Sequence, residues 1–223
     1  IRKYCPKRRI SKNRGVIIME LELIKDAIHD IWPMLTIFLV VMISIRITYI
    51  HVNHEKFIFY KEFLNLVFVV YALLLFNLLT NAELNTSSGL NLVPFTEIMR
   101  YEIGSHGFYF NVIGNILLFV PFGYFVSLYV KASKVSHIFF ISVITSLTVE
   151  FVQHHIGRSF DVDDILLNVV GAIIGFLLYI GFTAIKKHLP RFFQSDLFYN
   201  VICLILFVLA ILYYLNIMGI QLG

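Results

Sequence analysis

SLTVEFVQHHIGRSFDVDDILLNVVGAIIG, residues 146–175, joins the end of one apolar segment to the start of the next and gathers Glu150, His154, Arg158, Asp161, Asp163 and Asp164 around the junction. A charge near the centre of a bilayer costs roughly 3 kcal/mol or more, so a chain that keeps so many together places them at a rim or uses them. The flanking runs indicate that lipid is the solvent. The chain of 223 residues is 59% hydrophobic and 14% charged, against about 25% charge in a soluble domain. Six apolar runs reach or approach the length of about 20 residues that spans hydrocarbon: 31–50, 63–79, 111–130, 135–156, 165–185 and 197–218. A lone span must satisfy its own backbone groups, which predicts helix for each. The dyad alternation of a barrel is missing. The expected fold is all-α, a polytopic transmembrane bundle of six spans.

Charge divides the chain further. Residues 1–18 carry Arg2, Lys3, Lys7, Arg8, Arg9, Lys12 and Arg14 with no acid, and leaving those seven out takes the formal net charge from +4 to −3. The first methionine is Met19. Beyond the tail, Lys56, Lys61, Lys131, Lys134, Lys186, Lys187 and Arg191 fall on one side of a six-span alternation, and Lys25, Arg100 and Arg158 on the other. The positive-inside rule then puts both termini outside the cytoplasm. Counting the tail reverses the bias, so Met19 is the expected start; peptides from Ser11 to Val16 in a digest of the native protein would overturn this. The expected organisation is a tail over 1–30, an additional span and loop over 31–61, a central membrane domain over 62–185 and an additional span over 186–223. A bacterial cytoplasmic membrane is the expected location. The basic excess is confined to residues 1–18, which disfavours nucleic acid as a partner. Cys5 and Cys203 are too far apart in sequence and setting to indicate a disulfide or a metal site, and no cofactor is expected.

Glu150, Gln153 and His154 stand at i, i+3 and i+4, on one helix face, below Thr145, Ser146 and Thr148. Such a polar stripe belongs in the bundle interior. As interhelical glue it is worth only about 0.6 kcal/mol per pair, which suits Gln153. A membrane carboxylate needs a partner or a role, so Glu150 with His154 is read as a proton-carrying or ligand-holding pair. Arg158 either pairs with Asp161 or Asp164 across the turn, holds a phosphate or carboxylate, or snorkels at the interface. Asp161, Asp163 and Asp164 open the fifth span, where acids are ordinary helix-start chemistry. Asp161, Asp164 and Asn168 share a face. Oxygen ligands so arranged suit a divalent ion, but D-x-D-D is a weak pattern and no metal is expected. Gly171 and Gly175 form a small-residue pair that permits close helix approach.

Upstream, Asn91-Leu-Val-Pro-Phe95 reads as a turn leading an element into the interface. Phe95, Ile98, Met99 and Glu102 read as a short amphipathic surface helix, broken by Gly104 and Gly107. In the third span Asn111 and Asn115 lie one turn apart. Pro121 predicts a kink and a freed carbonyl near Leu117, which reads either as a packing kink or as a cavity for a substrate facing Asn115.

These blocks together resemble the VanZ-like membrane proteins, the family that includes a teicoplanin-resistance protein. The resemblance rests on Asn91-Leu-Val-Pro-Phe95, on Asn115-Ile-Leu-Leu-Phe-Val-Pro-Phe-Gly123, on Ser146-Leu-Thr-Val-Glu150 with Gln153, and on Arg158, Asp161, Asp164, Asn168, Gly171 and Gly175, in that order over about residues 66–182. It implies reduced susceptibility to lipoglycopeptide antibiotics, or a related role at the envelope, and supplies no reaction. Membrane lipids are the expected partners, with a lipid-linked cell-wall precursor or a lipoglycopeptide as ligand. On this reading Asn91, Pro94, Phe95, Asn115, Gln153 and Asn168 are the ligand-binding candidates. Glu150, His154, Arg158, Asp161 and Asp164 are the catalytic candidates should chemistry occur. Two alternatives remain open: a membrane enzyme acting on an envelope lipid or its phosphate, with Glu150 or His154 as general base, and a small transporter or lipid translocase with Glu150 as proton site.

Overall fold

A computed structural model of the chain describes residues 31–81 and 89–217. The basic tail, Met19 and part of the long loop lie outside the described residues. Among the described residues, six helices are long and apolar enough to cross a membrane. They are α1 (Ile31–Val52), α2 (Phe59–Asn81), α4 (Gly114–Val130) with the π-helical turn Phe108–Ile113 that leads into it, α5 (Val135–His155), α6 (Val162–His188) and α8 (Asp196–Ile217). Each contains nearly all of an apolar run found in the sequence. Most extend it by a few residues, because capping residues and rim charges continue the helix where hydrophobicity stops. Two short helices, α3 (Thr96–Arg100) and α7 (Arg191–Gln194), and one parallel pairing of β1 (Leu90–Asn91) with β2 (Phe160–Asp161) complete the described elements. The protein is a multi-pass membrane protein with an all-α spanning core.

The chain divides into two compact units. The first comprises residues 31–66 and 201–217 among those described. Within it, Arg46 of α1 makes a two-pronged contact with Glu62, Nε to Oε2 at 2.8 Å and Nη2 to Oε1 at 3.0 Å, and also reaches Glu55. These carboxylates answer the cation that Arg46 sets inside the apolar span α1. Phe59 and Phe63 each meet Phe207 edge-on with ring centroids 6.0 Å apart.

The second unit is residues 67–200, and its centre is the seam between α4 and α6. Gly171 and Gly175 of α6 lie against the α4 backbone, where a methyl group would overlap the carbonyl oxygens of Ile116 and Val120 respectively. Gly123 of α4 answers from the other side, against the Ala172 carbonyl. Backbones this close gain dispersion and dipole contacts that larger side chains forbid. Phe119 and Ala172 are fully buried in this seam, and Ile138 of α5 is fully buried in the same unit.

α4 runs as helix through Pro121. The Tyr71 hydroxyl of α2 donates to the Leu118 carbonyl at 2.6 Å, one residue along from the carbonyl expected to be freed. Ser127, fully buried, turns its hydroxyl back onto the Gly123 carbonyl. Two carbonyls flanking the proline are thus bonded by side chains of the protein itself.

Candidate functional site

The polar residues singled out in the sequence converge at one end of the second unit, where α2 and α5 end and α4 and α6 begin. α6 supplies the hub. Asp161 caps its N-terminus, its Oδ1 accepting the Asp163 N–H at 2.8 Å and the Asn91 side-chain amide at 3.1 Å. Burial pushes the Asp161 carboxyl above the usual carboxylate range, and those two donors oppose the shift. The Asp161 backbone N–H in turn donates to Glu150 Oε2 at 3.0 Å. Glu150 is 1% exposed and sits on α5 directly behind the turn. Strand pairing of Leu90 with Phe160 and Asn91 with Asp161 joins the long loop to the same point.

Asp163 is also 1% exposed, and its carboxylate reaches away from its own helix. It accepts the backbone N–H groups of Phe95, of Glu97 at 2.8 Å and of Ile98 at 3.2 Å. These are the donors that the start of α3 leaves unsatisfied, and α3 has no side-chain cap of its own. Phe95 stands at φ +70°, a left-handed conformation that a bulky side chain holds only when its surroundings impose it. The Asp163 carboxylate imposes it here.

Asp164 accepts the side-chain amide of Asn115, tying α6 to α4. One turn further, Asn168 donates to the Ser146 hydroxyl at 2.9 Å, tying α6 to α5, and both are buried. Gln153 and Arg158 both donate to the Leu79 carbonyl near the end of α2, at 3.1 and 3.0 Å. Arg158 therefore caps α2. Among the described residues it makes no ion pair with Asp161 or Asp164, which corrects the expectation of a bridge across the turn.

A cavity of about 340 Å³ opens over this hub. Of the residues singled out in the sequence, Asn91, Arg158, Asp161 and Asp164 line it, together with Asp163 and Asn111. Asn111 comes from the π-helical turn, a distortion often found at functional sites. Glu150, Asn115, Gln153 and Asn168 lie outside its lining and hold the elements that do line it. His154 is exposed and stacks edge-on to His155, so Glu150 and His154, although close along the helix, do not share an environment. Pro94 and Phe95, in the strap of residues 90–103 several of whose other residues border the cavity, are exposed and lie outside its lining. Among the described residues no three His, Cys, Asp or Glu side chains are grouped as metal ligands.

In the sequence Asp163 reads as one of several helix-start acids, and its contact with the N–H groups of residues 95, 97 and 98 is tertiary. The signal was available indirectly: a short helix after Pro-Phe with no capping side chain needs an acceptor from elsewhere. Tyr101, Glu97 and Ser159 also line the cavity, and nothing in their local pattern marks them.

Residues 63–187 match the family described as VanZ/LLP1. Among similar proteins, Protein VanZ of Enterococcus faecium is 30% identical over 116 residues, covering 51% of this chain and 66% of that protein, just under two thirds of its length. No solved structure matches.

Proposed function

Because this chain belongs to the VanZ/LLP1 family of membrane proteins, we propose that it acts at the outer face of the cytoplasmic membrane, engages the polar head of an envelope amphiphile there, and so lowers susceptibility to lipoglycopeptides such as teicoplanin. The amphiphile is the antibiotic itself or the lipid-linked wall precursor it competes for. The observation that carries the reading is the polar cavity at the rim of the spans, lined by Asn91, Asn111, Arg158, Asp161 and Asp164. Its mixture of carboxylates, amides and the guanidinium groups of Arg100 and Arg158 suits a head rich in hydroxyl and amide groups, to which each can bond in turn. With Lys56, Lys131, Lys134, Lys186 and Lys187 held on the cytoplasmic side, the cavity faces the cell wall, where these molecules are found.

The reading needs no bond to be broken. The polar groups in and behind the cavity are engaged by partners within the protein, which fits binding better than turnover: Glu150 with the Asp161 backbone, Asp164 with Asn115, Arg158 with the Leu79 carbonyl.

Expression in a sensitive Gram-positive host tests the proposal, with minimum inhibitory concentrations of teicoplanin and vancomycin measured in parallel. The chain should raise teicoplanin tolerance several-fold and vancomycin tolerance little. Asp164→Asn keeps the shape and the oxygen that meets Asn115 but removes the charge from the cavity. At matched membrane abundance it should lose most of the gain. No shift for either drug with the unaltered chain sinks the proposal.

A further inference from the structure

We propose that residues 90–103 form an interfacial anchor whose apolar side chains are seated among phospholipids at the boundary between headgroups and acyl chains. The segment carries Leu92, Val93, Phe95, Met99 and Ile103, which are 61%, 65%, 53%, 81% and 90% exposed. An apolar set this dense on the outside of a folded segment is a contact surface, and its place in the fold decides with what. β1 is hydrogen-bonded to β2, whose last residue, Asp161, immediately precedes the span α6. Asp163, in the first turn of that span, holds the N–H groups of Phe95, Glu97 and Ile98. The chain re-enters the membrane at Phe108. The segment is therefore clamped at the level where the spans meet water and cannot rise clear of it. Apolar side chains held at that level meet lipid.

The segment is two-faced in the manner of interfacial elements, which bury their apolar side about 5–10 Å into the headgroup and acyl boundary. Asn91, Glu97, Ile98 and Tyr101 of the same segment line the cavity. The cavity consequently lies at headgroup depth, whichever head it takes. The anchor does not depend on the resistance reading and can hold where that reading fails.

Tryptophan placed in the segment tests it. The chain has one tryptophan, Trp32, so Trp32→Phe supplies a silent background for Met99→Trp and Ile103→Trp. Each full-length variant is reconstituted into phosphatidylcholine and phosphatidylglycerol vesicles, with brominated phospholipids as depth-resolved quenchers and iodide on both sides as the aqueous quencher. Bromine high on the acyl chain should remove most of the emission at both positions, bromine near the chain end less, and iodide little. Emission quenched by iodide and untouched by brominated lipid overturns the proposal. Emission reached by neither quencher also overturns it, since a second copy of the chain or another protein would then cover the face. Two positions on opposite sides of Tyr101 guard against one substitution reshaping its own surroundings.

Discussion

Gly175→Ala destabilises the protein by about 1–3 kcal/mol, the usual cost of forcing a methylene into a filled site, while the chemically identical Gly181→Ala is neutral or stabilising by up to about 1 kcal/mol. Both glycines lie on α6 and both alanines raise intrinsic helix propensity by nearly the same amount. They differ in what a methyl group meets. At Gly181 nothing lies within 4 Å, whereas at Gly175 the methyl overlaps the Val120 carbonyl and comes to 2.6 Å from the Tyr124 backbone nitrogen. Backbone cannot swing aside as a side chain can, so α4 and α6 must part. Adding Gly171→Ala, where the methyl meets the Ile116 carbonyl and lies 3.1 Å from Phe119 Cβ, should enlarge the effect, though not as the sum of two separated sites, because both methyls part the same seam. Thermal ramps of detergent-solubilised protein, read as the monodisperse fraction surviving, give the comparison. Equal melting of Gly175→Ala and Gly181→Ala would dismiss the seam as the organising contact of this unit.

Asp163→Ala is expected to free the strap over the cavity without unfolding the spans. A hydrogen bond to a charged group is worth about 1.5–3 kcal/mol, and the substitution leaves the N–H groups of Phe95, Glu97 and Ile98 without their acceptor. Phe95 then has no reason to remain at φ +70°. The loss is local, because the α4–α6 seam contains none of these bonds, and local opening is how a weakly packed surface segment responds. Trypsin reports it directly, since Arg100 lies in α3 with its side chain 69% exposed. Cleavage after Arg100 in membranes should accelerate strongly in Asp163→Ala and less in Asp163→Asn, whose amide oxygen still accepts. Unchanged cleavage in Asp163→Ala would show that the carboxylate is not what holds the segment. The same assay on Asp164→Asn separates the two acids, as Asp164 bonds Asn115 of α4 and not the strap.

The two experiments address parts of the protein that were unequally visible in the sequence. The spans were visible because lipid imposes one condition everywhere: about 20 apolar residues that close their own hydrogen bonds. The six runs therefore reappear as helices with ends shifted by a few residues. The glycine pair at 171 and 175 was visible for a similar reason, since the spacing alone places both on one helix face. Its partner, the α4 backbone around Gly123, was not, because spacing within a helix carries no address for the neighbour.

Among the polar residues the division is sharper. Local chemistry marked Asp161, Asp163 and Asp164 together as helix-start acids, of which Asp161 is the cap, and the i, i+3 spacing put Glu150 and Gln153 on one buried face. His154, adjacent to Gln153, turned out exposed. A helix rotates about 100° per residue, and the packing of α5 against α6 settled which side of Gln153 faced inward. Arg158 looked like a partner for the aspartates beside it and instead caps α2 through the Leu79 carbonyl, a residue 79 positions away.

What the sequence by itself determined is whatever follows from the solvent and from neighbours within a turn or two: the spans, the rim at which charges gather, the caps, the glycine spacing and the family blocks that carry the resemblance. Only the tertiary structure decided which carboxylate each distant donor would find. Asp163 binding the N–H groups of residues 95, 97 and 98 joins chain separated by more than sixty positions. Such pairing is set by how α4, α5 and α6 pack, and the strength of a hydrogen bond depends on a few tenths of an ångström that no local pattern encodes.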